Sequence, residues 1–85
     1  MSDSITVTVK LFAAYQDAYG VPELTLELPQ GVSVEQVCDR ILYDRPQLAP
    51  LKGITQFGIN LEFVSAETIA QNGDEIVLIP PVSGG

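Results

Sequence analysis

Few side chains in this sequence can do chemistry, and the shortage narrows what the chain can be. There is no histidine and one cysteine, Cys38. A histidine-based nucleophilic triad therefore lacks its base. No ordinary zinc, haem or iron–sulfur ligand set can be assembled within one chain, so no metal site is expected. A lone cysteine also excludes an internal disulfide and the stapled, secreted scaffolds that depend on one. Four cations, Lys10, Arg40, Arg45 and Lys52, face eleven carboxylates, for a net charge of −7. Nucleic-acid binding needs clustered lysine and arginine to neutralise phosphates, so that class is excluded too. What is left is the main chain. The sequence closes on Pro80-Pro81-Val82-Ser83-Gly84-Gly85, and a carboxylate after two glycines is open to attack because no Cβ stands near it. Two prolines fix φ and favour an extended polyproline II path, so residues 80–85 reach at most about 20 Å. A frayed, solvent-exposed terminus is the alternative that composition alone leaves open.

The rest of the chain has to hold that terminus out. With 85 residues, 46% of them hydrophobic, there is room for one domain and one core. Ile5, Val7, Val9 and Leu11 alternate with Thr6, Thr8 and Lys10, the period of a strand with one buried face. Leu24, Leu26 and Leu28 repeat the pattern against Thr25 and Glu27. Between these strands Ala13, Ala14 and Ala18 predict one or two helical turns ending near Gly20. Ser33 and Gln36 form a capping box. Val34, Val37, Cys38, Ile41 and Leu42 follow as one apolar stripe that ends before Pro46, which puts Cys38 in the core. Residues 46–58 read as a loop. Phe57, Ile59 and Leu61 predict a third strand and Phe63-Val64 a short fourth. The turn Gln71-Asn72-Gly73-Asp74 leads into Ile76-Val77-Leu78-Ile79, four consecutive apolar residues that predict a strand buried on both faces at the centre of the sheet.

The order strand–strand–helix–strand–strand fits an α+β fold, a β-grasp (ubiquitin-like) roll with a mixed sheet of four to five strands and one main helix. Residues 1–79 form the domain, and 80–85 its extended, flexible tail. Met1-Ser2-Asp3-Ser4 has neither the basic start nor the apolar stretch of a signal peptide. No apolar run is long enough to span a bilayer, so a cytoplasmic location is expected. Lys10 and Lys52 read as solvated charges, and Tyr15, Tyr19 and Tyr43 carry no specific signal.

The residues that carry a family resemblance run almost the length of the chain. They are Leu11-Phe12-Ala13, Leu28-Pro29, Val32-Ser33-Val34, Asn60, Gly73-Asp74-Glu75-Ile76 and the ending Pro80-Pro81-Val82-Ser83-Gly84-Gly85. In these the chain resembles the ubiquitin-like sulfur carriers, and among them the small subunits of molybdopterin synthase. Family members often carry an Arg-Glu pair shortly after the Phe-Ala, where this chain has Tyr15-Gln16-Asp17.

The resemblance implies that the Gly85 carboxylate, made accessible by Gly84, is adenylated by an E1-like adenylyltransferase using ATP and magnesium. Sulfur from a sulfur-donating enzyme then replaces the AMP to leave a thiocarboxylate. That group delivers sulfur to cyclic pyranopterin monophosphate in the large subunit of molybdopterin synthase, in molybdenum cofactor biosynthesis. The carrier is then a sulfur donor that is not catalytic alone and binds no cofactor itself. The resemblance also implies a docking patch of Phe12, Phe63 and Ile79, with Pro80, Pro81, Val82 and Ser83 entering the partner. Against it stands the reading in which the three apolar residues fill the core. Alternatives within reach of the same ending are a sulfur carrier for thiamine synthesis or tRNA thiolation, a ubiquitin-like protein modifier, and a β-grasp binding module with an inert terminus.

Overall fold

Alternation sets the sheet. The computed structural model describes residues 3–81, and in it Ile5, Val7, Val9 and Leu11 of strand β1 (Ser4–Leu11) are all buried while the residues between them face outward. β1 pairs antiparallel with β2 (Glu23–Pro29) and parallel with β5 (Glu75–Ile79). β3 (Gln56–Ile59) runs antiparallel to both β5 and β4 (Glu62–Val64). The order across the sheet is β2-β1-β5-β3-β4, which puts β5 in the middle. This mixed five-stranded sheet with one main helix is the β-grasp arrangement expected from the element order.

The main helix, α2 (Val34–Asp44), begins where its capping box predicts. Ser33 Oγ accepts from the Gln36 N–H, and Gln36 Oε1 accepts from the Ser33 N–H, satisfying donors that the first turn leaves free. Its buried residues are Val34, Val37, Cys38, Ile41 and Leu42, the whole of the apolar stripe. They join Val7, Val9, Ile76 and Leu78 in a single core. Fully burying one such aliphatic side chain contributes about 1.5–3 kcal/mol, so truncating Ile76 to alanine, beneath the helix, costs about 2–5 kcal/mol. The short helix α1 (Ala14–Tyr19) ends at Gly20, whose φ of +73° makes the left-handed cap that glycine adopts without strain.

Three local expectations are corrected. Residues 46–51 are not a loop: Pro46–Leu51 is a 3₁₀ helix that buries Leu48. One buried residue gives no helical periodicity to read, and proline at its first position is compatible with the turn. Leu61 does not continue the inward alternation of Phe57 and Ile59. Asn60 and Leu61, at φ +50° and +75°, form a two-residue turn between β3 and β4, and Leu61 is 91% exposed. The turn is fixed from a distance, because Asn60 Nδ2 donates to Asp74 and Asn60 Oδ1 accepts from the Glu75 N–H. β5 is central as expected, but its two faces differ: Ile76 and Leu78 are buried, whereas Val77 and Ile79 are half-buried. No helix among the described residues is long and apolar enough to cross a membrane.

Candidate functional site

Parallel pairing brings the end of β5 next to the end of β1. Leu11 lies opposite Leu78, so β1 and β5 finish at the same edge of the sheet, and Phe12 emerges beside Ile79. From there the chain runs to Pro80, which is buried, and Pro81, which is exposed. The compact body therefore reaches one residue past β5. Phe12, Leu51, Val77, Ile79, Pro80 and Pro81, with Ala13 and Ala14, line a groove of about 730 Å³. Phe12 is 48% exposed on its lip. None of these side chains titrates or can act as a nucleophile, and the lining is apolar.

The walls of the groove are held from beneath. Ala13 turns the chain out of β1 with φ +51° and ψ −123°, a backbone that an L-residue adopts only under strain of about 1–3 kcal/mol. The next turn is anchored by Tyr15, which is fully buried. Its hydroxyl lies 2.7 Å from Thr55 Oγ1 and 3.7 Å from Cys38 Sγ. Thr55 Oγ1 in turn donates to the Leu51 carbonyl at 2.9 Å. Because Thr55 spends its one hydroxyl proton on Leu51, Tyr15 donates to Thr55 and accepts from the Cys38 thiol. Burial pushes Tyr15 up to about 12 and raises the Cys38 thiol as well, so both groups stay protonated and structural. Cys38 is buried, as its place on the helix stripe requires.

The cations are engaged within the chain. Lys10 Nζ lies 2.8 Å from Glu23 and 3.8 Å from Glu75, and its hydrogen bond with Glu23 holds it above the usual lysine value. Lys52 lies 2.7 Å from Asp39, Arg40 pairs with Asp44, and Arg45 stacks over the Tyr19 ring. Among the described residues no group of three or more Cys, Asp or Glu is placed to hold a metal ion.

Of the residues singled out in the sequence, the structure gathers Phe12, Ile79, Pro80 and Pro81 into one groove. Phe63 stands apart. It lies opposite Gly58, and Gly58 lies opposite Val77, which sets it two strands from β5 on the sheet edge, 74% exposed. There it borders a separate cleft with Lys52 and Val64. Val82, Ser83, Gly84 and Gly85 lie outside the described residues. Val77 and Leu51 were not anticipated as lining residues. Val77 is recoverable from strand parity, since it shares a face with Ile79, while Leu51 sits in the unforeseen 3₁₀ helix and has no such signal.

Comparison with known proteins extends the likeness over almost the whole chain. Residues 9–85 match the model of the ThiS family. The molybdopterin synthase sulfur carrier subunit of Arabidopsis thaliana is 33% identical over 84 residues, covering 99% of this chain and 88% of that protein. Among solved structures, small archaeal modifier protein 1 of Methanosarcina acetivorans superposes with a TM-score of 0.79 at 30% identity, over 96% of this chain and 98% of that one. The complex of subunits 1 and 2 of molybdopterin-converting factor from Helicobacter pylori contains a chain of the same fold, with a TM-score of 0.64 at 22% identity, covering 95% of this chain and all of that one.

Proposed function

The chain belongs to the ThiS family, and from that premise we propose that it is the sulfur carrier subunit of a molybdopterin synthase whose working group is the Gly85 carboxylate. The observation that carries this reading is the near-complete match to a molybdopterin synthase sulfur carrier, on a chain whose central strand delivers Pro80 and Pro81 from a groove without reactive side chains.

The chemistry follows from what the carrier lacks. A carboxylate is a poor electrophile. Its oxygen attacks the α-phosphorus of ATP in an E1-like adenylyltransferase, pyrophosphate leaves, and magnesium stays with the nucleotide on that enzyme. Hydrosulfide supplied by a sulfur-donating enzyme then displaces AMP from the acyl carbon, leaving a thiocarboxylate. In the large subunit this sulfur attacks a carbon of the bound cyclic pyranopterin monophosphate and displaces an oxygen leaving group. Water then cleaves the acyl–sulfur bond, which leaves the sulfur on the pterin and returns Gly85 as a carboxylate. Docking through the groove holds the sulfur beside the acceptor, so proximity supplies much of the rate. Phe12 and Ile79 act as the apolar anchors, and Val82 and Ser83 continue the arm into the partner. The Helicobacter pylori neighbour, found with subunit 2, supports a large-subunit partner. The uncompensated acidic charge of the body steers it toward basic surfaces.

Reconstitution tests this directly. Carrier, large subunit, adenylyltransferase, ATP, magnesium, a sulfur source and cyclic pyranopterin monophosphate are expected to give dithiolene product in proportion to charged carrier. The likeness to an archaeal modifier favours one other reading, in which activated Gly85 is joined to lysines of target proteins. Accumulation of high-mass conjugates with no pterin product would support that reading instead.

A further inference from the structure

Leu61 occupies a position where folding gains nothing from leucine. It is 91% exposed, at φ +75°, and follows Asn60 at φ +50° in the tight turn between β3 and β4. Turns of this kind take asparagine then glycine, because both central residues need positive φ. Asn60 meets that need and is clamped by Asp74 and Glu75. Leucine does not, since its Cβ crowds the following carbonyl. Position 61 therefore combines backbone strain with an apolar side chain in water, and strain of this sort gathers at functional surfaces.

The tip and the groove lie toward opposite ends of β5. The Asn60 N–H donates to the Glu75 carbonyl at the start of the strand, while the groove begins at Val77, about 7 Å along it, and runs on to Pro81. Next to Leu61 stands the exposed Glu62, with the Asp74 carboxylate beneath the turn. Lys10 lies 2.8 Å from Glu23 and 3.8 Å from Glu75, Arg40 and Lys52 pair with other acids and Arg45 stacks on Tyr19, so among the described residues Glu62 and Asp74 have no lysine or arginine partner. We propose that the Leu61 hairpin tip is a second docking point, taken by a partner protein that presents an apolar pocket rimmed by lysine or arginine. This rests on the carrier reading, which makes the partner one of the proteins that charge or discharge Gly85. A second copy of this chain is the wrong occupant, because two tips would bring Glu62 and Asp74 of each against those of the other.

The test measures binding of the full-length chain to the large synthase subunit and to the adenylyltransferase, for wild type, Leu61→Gly and Glu62→Gln. Leu61→Gly is expected to raise the thermal midpoint by about 5 °C, yet to weaken binding to at least one of the two proteins by about tenfold. Glu62→Gln is expected to flatten the salt dependence of that same affinity. Unchanged affinity of Leu61→Gly for both proteins overturns the proposal, as does a midpoint that does not rise. So does a carrier dimer abolished by the substitution. If wild type acquires sulfur and Leu61→Gly binds as it does, the tip proposal alone fails. If wild type binds neither protein and acquires no sulfur, the carrier reading fails with it.

Discussion

The Tyr15 hydroxyl donates to Thr55 Oγ1 across 2.7 Å, and that contact couples the two walls of the groove beside the end of β5. Tyr15 fixes α1, which carries Ala14 on one wall, while Thr55 holds the carbonyl of Leu51 on the other. The groove is thus supported by a buried polar chain that runs from the Cys38 thiol through Tyr15 and Thr55 to Leu51.

Tyr15→Phe removes the middle of that chain and leaves Cys38 and Thr55 with one partner fewer. It is expected to lower stability by about 1–3 kcal/mol, measured by chemical denaturation. The pH dependence has a definite sign. Burial raises Tyr15 from its ordinary 10.0 to about 12 in the folded chain, so the unfolded chain loses this proton first as pH rises. The Tyr15 contribution is complete below pH 10 and is lost between pH 10 and about 12. The stability difference between wild type and Tyr15→Phe should shrink across that window, and a flat difference would contradict the assignment.

Cys38 is expected to be inert in the folded protein. It is buried, its pKa is raised by that burial, and it donates to Tyr15. Thiol-reactive probes should label it slowly until denaturant is added. Cys38→Ala should still gain sulfur at Gly85. Loss of sulfur loading in a folded Cys38→Ala variant would instead make the thiol a relay.

Much of this architecture is local and was legible in the residues. The Ser33–Gln36 capping box, the α2 stripe and the alternation of β1 each span a few positions, and each is realised as read. What escaped is set by partners far along the chain. Leu61 turns outward because Asn60 is held by Asp74 and Glu75, a constraint that alternation cannot reveal. Tyr15 carried no signal in the sequence, yet it is fully buried, because Thr55 and Cys38 meet it only once the sheet has formed. At the site, the patch expected of Phe12, Phe63 and Ile79 divides: Phe12 and Ile79 line one groove with Pro80 and Pro81, and Phe63 lines a separate cleft. The closeness of Phe12 and Ile79 depends on the parallel register of Leu11 with Leu78. Pairing through Gly58 and Val77 puts Phe63 on the face of Val77 but two strands away from it.

That separation makes a prediction about docking. Phe12→Ala should weaken binding to the large subunit by about tenfold while changing stability little, because the ring is half exposed. Phe63 lies about 10 Å across the sheet from Val77, two strand spacings away, so Phe12→Ala and Phe63→Ala should act independently on affinity. Titration calorimetry on the two single variants and the double variant measures this. A coupling well above about 0.5 kcal/mol would mean that both rings serve one pocket.

The central claim is that the reactive group is the main-chain carboxylate of Gly85, and the intact mass of the chain tests it most directly. After incubation with the adenylyltransferase, ATP, magnesium and a sulfur source, the mass is expected to rise by the difference between sulfur and oxygen. The gain should map to the C-terminal peptide and vanish when Gly84 and Gly85 are deleted from an otherwise folded chain. A gain that survives the deletion, or that maps to Cys38, would contradict the account.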